Sequence, residues 1–397
     1  MKRLRVQNFG PIRDGEVEFG DLTVLVGPQA SGKSIFVQLL KAIEDAAAIR
    51  KALKDHGFEW QHGGRARQNF SALYFGEGMD SLWRADAAIS VDGKRFDFDR
   101  NVVGSRPGIA SQERVFFVPA QRVLVLQDGW PSPAMDRSVE APYCTRNFCE
   151  TLRELLDRPR GEERAVFPQR RRLKEEFRRL LNQGIYDGGQ VRLDRQGMRK
   201  RLVLQPKGAP SALPYSVWSA GQREFTPLLL GLYWLMPPTK ITKRPEIETV
   251  VIEEPEMGLH PQAIVSFCLL ALELLHRGYK VIISTHSPVV LDVVWALREL
   301  RDCKRQHAVR ALCDIFALEN PTPPTRQLLA DALRTDCRTY FFGRTRRSVR
   351  VYDISTLDPG DPDAAVSGWG GLSGFSGQIA DIVGNALNRG RVCDGAS

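Results

Sequence analysis

Arg3-Leu4-Arg5-Val6 alternates polar and apolar residues, Asn8-Phe9-Gly10-Pro11 interrupts the run, and Gly15-Glu16-Val17-Glu18-Phe19 alternates again. A period of two on either side of a turn predicts two short antiparallel strands. Leu22-Thr23-Val24-Leu25-Val26 is apolar almost throughout, the pattern of a strand covered on both faces. It stops at Gly27, and from Lys33 the spacing of Phe36, Leu39 and Leu40 becomes that of a helix. Ala88-Ile89-Ser90-Val91 and Arg95-Phe96-Asp97-Phe98 flank Asp92-Gly93, a dipeptide that favours a hairpin turn. Val115-Phe116-Phe117-Val118 reads as a second covered strand, ended by Pro119.

The pattern changes between about 140 and 185. Phe148, Leu152, Leu155 and Leu156 recur at helical spacing, and so do Leu173, Phe177, Leu180 and Leu181. The second set carries Arg170, Arg171, Arg172, Lys174, Arg178 and Arg179 around its polar face. This predicts a basic helical insertion, residues 136–188, standing off the main body as a lid or a partner-docking element. A hairpin, Gln190 to Leu193 and Arg201 to Leu204, leads back. From there helix and strand alternate: a helix at 223–235, the strand Thr249-Val250-Val251-Ile252, a helix at 261–276, and the strand Lys280-Val281-Ile282-Ile283. Such alternation implies a parallel sheet covered by helices. The last hundred residues are less regular, with candidate strands at Tyr340-Phe341-Phe342 and Val349-Arg350-Val351-Tyr352. The expected division is an N-terminal lobe (1–135), the insertion (136–188), a C-terminal lobe (189–296) and an α/β extension (297–397).

Chemistry enters at the first covered strand. Gly27-Pro28-Gln29-Ala30-Ser31-Gly32-Lys33-Ser34 fits the phosphate-binding pattern GxxxxGK[ST] at every position. The glycines let the backbone wrap closely, so that its N–H groups and the following helix N-terminus point at a β-phosphate. In such a loop the lysine reaches the β- and γ-phosphates and the Ser34 hydroxyl ligates Mg²⁺, so ATP and Mg²⁺ are the expected ligands. Val250-Val251-Ile252-Glu253-Glu254-Pro255 ends in acids at the sheet edge where α/β folds place their ligands. Glu253 is expected on Mg²⁺ through water, and Glu254 on the attacking water. Ser284-Thr285-His286-Ser287 follows 286 − 254 = 32 residues later, room for one helix and one strand. His286 therefore emerges beside the acids, where an imidazole hydrogen-bonds a γ-phosphate. Lys33, Glu254 and His286 are the expected catalytic residues. Ser219-Ala220-Gly221-Gln222-Arg223-Glu224 precedes an apolar helix, and Ser219, Gly221 and Gln222 form a second anion-binding surface there. One nucleotide needs one P-loop, so a second phosphate-directed motif implies a site shared between two subunits. Ser219 is equally an ordinary helix N-cap, and both readings hold together.

In this order the motifs resemble the ABC-type ATPases of the RecF and SMC group, and more narrowly the stand-alone, OLD-like AAA-family ATPases of bacteria (AAA-21 and AAA-15). Leu4-Arg5-Val6-Gln7-Asn8-Phe9-Gly10-Pro11-Ile12 and Glu254-Pro255-Glu256-Met257-Gly258-Leu259-His260-Pro261 are similar to that subgroup. Val118-Pro119-Ala120-Gln121-Arg122 resembles its Q-loop region, where Gln121 touches Mg²⁺ or the attacking water. The resemblance implies an α/β P-loop NTPase of ABC-ATPase type: a mixed central sheet with flanking helices, an antiparallel β subdomain and a helical insertion. It implies a homodimer formed on ATP, with Ser219 and Gly221 of one subunit closing on the γ-phosphate held by the other and residues 258–261 at the interface. It also implies control of a partner effector of a phage-defence kind, with a DNA repair clamp and a slow nucleotide switch as alternatives.

Composition adds little to this. The net charge of +9 is compatible with DNA contact, and no base-reading module accompanies it. No run approaches eighteen apolar residues and the seven cysteines show no CxxC spacing, so a cytoplasmic chain without membrane spans or a disulfide framework is expected. Asp361-Pro362-Asp363 spells the DxD of a nuclease without a strand leading into it, and Cys303, His307 and Cys313 lack an evident fourth ligand for zinc.

Overall fold

A computed structural model describes residues 1–58, 65–104, 112–131, 140–157, 165–169, 172–194, 200–237, 243–345, 348–373 and 382–383. The strands are β1 (Arg3–Phe9), β2 (Ile12–Glu18), β3 (Leu22–Val26), β4 (Trp83–Val91), β5 (Lys94–Phe96), β6 (Val115–Val118), β7 (Leu126–Gln127), β8 (Trp130–Pro131), β9 (Ala165–Phe167), β10 (Gln190–Asp194), β11 (Arg201–Gln205), β12 (Leu213–Pro214), β13 (Thr249–Glu253), β14 (Lys280–Thr285), β15 (Cys337–Arg344) and β16 (Val349–Asp353). The helices are α1 (Lys33–Glu44), α2 (Ala46–Asp55), α3 (Ala66–Phe75), α4 (Tyr143–Asp157), α5 (Glu175–Leu181), α6 (Ala220–Leu235), α7 (Pro261–His276), α8 (Pro288–Glu299), α9 (Arg305–Ile315), α10 (Pro323–Ala332) and α11 (Ala364–Ser367).

Ten strands form one mixed sheet in the order β5-β4-β1-β2-β16-β15-β3-β14-β13-β6. From β15 to β6 all neighbours are parallel, whereas β2, β1, β4 and β5 pair antiparallel. The two halves explain the two sequence patterns. Alternate residues of the parallel strands go to opposite apolar layers: Val24, Val250, Ile252, Val281 and Ile283 to one, Leu25, Val251 and Ile282 to the other. Both faces of each strand are covered, so the run is apolar throughout. β1 and β2 keep one face in water, where Arg5 pairs with Asp14 and Arg3 with Glu18, and so they alternate.

The insertion does not stand off the body. Phe148, Leu152, Leu155 and Leu156 of α4 lie in the same core layer as Leu228 and Leu232 of α6. The second helix is short and continues into a π turn, Asn182–Tyr186, while β9 leaves this segment to join β10, β11 and β12. Its cations are partly spent inside the fold: Arg172 donates to the carbonyls of Tyr233 and Met236 at the end of α6, and Lys174 pairs with Glu273. Arg170, Arg171 and the boundary at 135/136 lie outside the described residues. The irregular last hundred residues are likewise no appendage, because β15 and β16 lie in the middle of the sheet and join its parallel half to its antiparallel half.

On the α1 side, Lys41 is buried with its ammonium 2.8 Å from Asp45 Oδ2, 2.8 Å from Glu113 Oε2 and 2.6 Å from the Val115 carbonyl, tying α1 to β6. No helix among the described residues is long and apolar enough to cross a membrane.

Candidate nucleotide site

The loop from Gly27 to Ser34 leaves β3 through backbone conformations that its glycines permit. Gly27 has φ 144°, and a Cβ there would lie 2.7 Å from the Phe342 carbonyl oxygen of β15. Gly32, at φ 92°, opens α1 without any side-chain cap, and no acid stands in the first turn. The first N–H groups of α1 are therefore left for an anion. Lys33 is buried and curls onto its own loop, donating to the carbonyls of Gly27 at 2.7 Å and Pro28 at 3.1 Å. Burial lowers its ammonium to about 8, against the pull of Glu254, Glu256 and Glu253.

Strand order brings the remaining groups alongside. β14 lies between β3 and β13, with Thr285 opposite Val26 and Glu253 opposite Ser284, so all three strands end at one edge. His286 Nε2 lies 3.2 Å from Lys33 Nζ and 3.6 Å from Glu254 Oε1. One ring nitrogen thus faces an ammonium donor and a carboxylate acceptor, and its proton decides which it serves. The contact with His286 holds the Glu254 carboxyl below its ordinary value. Glu253 is buried beside the Ser34 hydroxyl, and its Oε2 accepts the Ala120 N–H at 3.3 Å. Burial raises its carboxyl to about 7.

The donor set fits a hard divalent cation. Glu253 Oε1 and Glu256 Oε2 are buried without a hydrogen-bond partner, and Glu253 lies beside the Ser34 hydroxyl. Oxygen ligands of this kind suit Mg²⁺. Gln121 is exposed at the start of the 3₁₀ turn Arg122–Val125, next to the Ala120 that contacts Glu253.

Two residues of the site were not singled out from the sequence. Glu256 Oε1 accepts the backbone N–H of His286 at 2.6 Å, which fixes where the histidine leaves β14. Arg122 is fully buried and donates to the carbonyls of Glu224 at 3.0 Å, Glu253 at 2.9 Å and Glu254 at 3.0 Å. Only the proximity of Arg122 to Gln121 pointed toward it, since an arginine in a sequence ordinarily reads as surface.

Ser219 caps α6 in a reciprocal box: its Oγ accepts the Gln222 N–H at 3.3 Å, and Gln222 Oε1 accepts the Ser219 N–H at 3.1 Å. The other end of Gln222 donates to the Ile185 carbonyl, so this side chain is committed to holding the loop. Gly221 abuts Gly258, where an added Cβ would lie 2.7 Å from the Gly258 carbonyl oxygen, and Gly258 itself has φ 69°. The start of α6 and the loop after β13 are therefore packed backbone to backbone. Asp361 and Asp363 serve turns, accepting the N–H groups of Asp363 and Ala365 at 2.8 Å.

A phosphate loop on one parallel strand, acids at the end of the strand two places away and a histidine between them define a P-loop NTPase of the ABC type. Residues 146–292 match the family described as "AAA domain, putative AbiEii toxin, Type IV TA system". The chain is 51% identical over 324 residues to an OLD nuclease of Thermus scotoductus, a match covering 74% of this chain and 60% of that protein. Both matches agree with the resemblance to the OLD-like AAA-domain ATPases that the motifs carry. It also aligns loosely with an SMC head bound to the C-winged helix domain of ScpA, at TM-score 0.39 and 12% identity over 89% of this chain and 96% of that one. A dimeric bacterial ABC transporter cassette aligns at TM-score 0.33 and 11% identity, over 72% of this chain and 89% of that one.

Proposed function

We propose that the chain binds ATP with Mg²⁺, hydrolyses it, and dimerises on ATP to control a partner effector. The observation that carries the catalytic part is the cluster at the ends of β3, β14 and β13, where His286 stands within 3.2 Å of Lys33 and 3.6 Å of Glu254. The loop from Gly27 to Ser34 wraps the phosphates with its N–H groups, and Lys33 gives up its bonds to Gly27 and Pro28 to reach the β- and γ-phosphate oxygens. Ser34, Glu253 and Gln121 hold Mg²⁺, which supplies neutralisation of phosphate charge. Glu254 orients the attacking water and takes its proton as the new oxygen–phosphorus bond forms and the β–γ bridging bond breaks. His286 donates to the γ-phosphate as charge develops. Ser219 and Gly221 of a second subunit complete the site, with the cap of α6 offering its remaining N–H groups.

The effector is a nuclease or a toxin, the two activities printed in the names of the relative and of the family. The chain spans about 60% of that relative's length, and its action on nucleic acid is carried over here only as the kind of output controlled. Turnover of wild type, Lys33→Ala and Glu254→Gln, with molecular mass followed with and without ATP, tests the proposal. Loss of turnover in both variants, with a dimer of Glu254→Gln held by ATP, is the expected result. Turnover surviving both substitutions would remove the mechanism.

A further inference from the structure

We propose that Arg122 is a positioning residue that transmits closure of the Ser219 loop to the two acids. This rests on reading Glu254 as the residue that directs water and Ser219 as the loop that meets nucleotide. The guanidinium has no exposure and joins three segments. It donates to the Pro119 carbonyl at 3.5 Å in the turn after β6, to the Glu224 carbonyl at 3.0 Å in α6, and to the carbonyls of Glu253 at 2.9 Å and Glu254 at 3.0 Å at the end of β13. Its charge is matched at 3.8 Å by Glu224 Oε2, an oxygen with no hydrogen-bond partner of its own. Among the described residues, the hydrogen bonds of Arg122 thus go to the backbone, beside that one distant ion pair.

A planar fork of five donors spans these carbonyls, and an ammonium, with three donors on one atom, does not. Glu224 stands 224 − 219 = 5 residues after the Ser219 cap, within the rigid start of α6. A shift of the cap therefore moves the Glu224 carbonyl, and with it the guanidinium. At the other end Glu254 has φ 43°, which a residue with a side chain adopts rarely. It is held there by its N–H to the Ser284 carbonyl at 2.8 Å and by its carbonyl to Arg122. The backbone on both sides of the carboxylate is pinned, so its aim follows Arg122. A movement of the Ser219 loop thus reaches the Glu254 backbone through this side chain, alongside the direct packing of Gly221 on Gly258.

The test compares full-length Arg122→Lys and Arg122→Ala with wild type and Glu254→Gln. Affinity for ATP is read with a fluorescent ATP analogue, and turnover is read at saturating ATP. The expected result is affinity within about threefold of wild type and kcat lower by about a hundredfold, the loss that a small misplacement of a catalytic group brings. Millimolar guanidinium should restore part of the turnover of Arg122→Ala, and methylammonium should not. Arg122→Lys keeps charge and bulk, and carries the test if Arg122→Ala fails to fold. Wild-type kcat in Arg122→Lys beside an inactive Glu254→Gln would overturn the positioning role alone. So would affinity and kcat falling together in step with melting temperature, without guanidinium rescue. Wild-type turnover in Glu254→Gln would instead bring down the reading on which the proposal rests.

Discussion

A methyl group on residue 221 would come within 2.7 Å of the Gly258 carbonyl oxygen, closer than real contacts allow. Gly221→Ala must push the start of α6 away from the loop after β13, at a cost of roughly 1–3 kcal/mol by analogy with overpacked sites. Urea unfolding measures the stability loss, and mass with ATP should show a weaker dimer of Gly221→Ala in the Glu254→Gln background. At this scale the sequence was most informative where each residue type has its own local reason. Gly27, Gly32, Lys33 and Ser34 belong to one loop, and their spacing is enough to read them. Arg122 and Glu256 have reasons that lie far along the chain: Arg122 meets Glu254 across 132 positions, and Glu256 meets His286 across 30. Nothing local marks an arginine whose partners are carbonyls brought together by folding.

Elements were legible in type and less so in place. The spacing of Phe148, Leu152, Leu155 and Leu156 identifies the apolar side of α4, but a period cannot say what that side covers, and it covers α6. Arg172 and Lys174 were placed around the polar face of an insertion standing off the body, yet they close the end of α6 and pair with α7. The tie between α1 and β6 was hidden for the same reason, being built from Lys41, Asp45 and Glu113. Burial raises the Asp45 carboxyl to about 6 from 3.8, only partly opposed by Lys41, and Glu113 adds to the rise. The folded chain then holds this proton more tightly than the unfolded chain. The corresponding stability is complete below pH 3.8 and lost as the pH rises through about 6. Urea midpoints of wild type and Asp45→Asn at pH 4 and pH 7 check this. The margin of wild type over the variant should shrink toward pH 7.

For the whole molecule, the order of strands in the sheet differs most from their order in the chain. β3, which carries the phosphate loop, has β14 on one side and β15 on the other. β15 also touches the loop directly, through Phe342 behind Gly27 and through Arg344, which donates to the Ala30 carbonyl at 3.2 Å. A chain stopped after Arg334 should therefore fail to bind a fluorescent ATP analogue, and gel filtration should show it aggregated. Wild-type affinity in that shortened chain would mean that β15 is dispensable to the loop.

That position also sets a timetable for synthesis. β3 is complete at Val26, whereas β15 begins at Cys337. At roughly 5–20 residues per second, the ribosome needs on the order of 15–60 s to make what lies between. Until β14 is complete at Thr285 both edges of this apolar strand lack their neighbours, and one edge still waits until β15 arrives, a surface to which another strand or a chaperone attaches. The phosphate loop gains its rear support only when the hairpin of β15 and β16 arrives. On the proposed function, ATP binding would then mark a chain translated at least as far as that hairpin, and half-made copies would not compete for nucleotide or for a dimer partner.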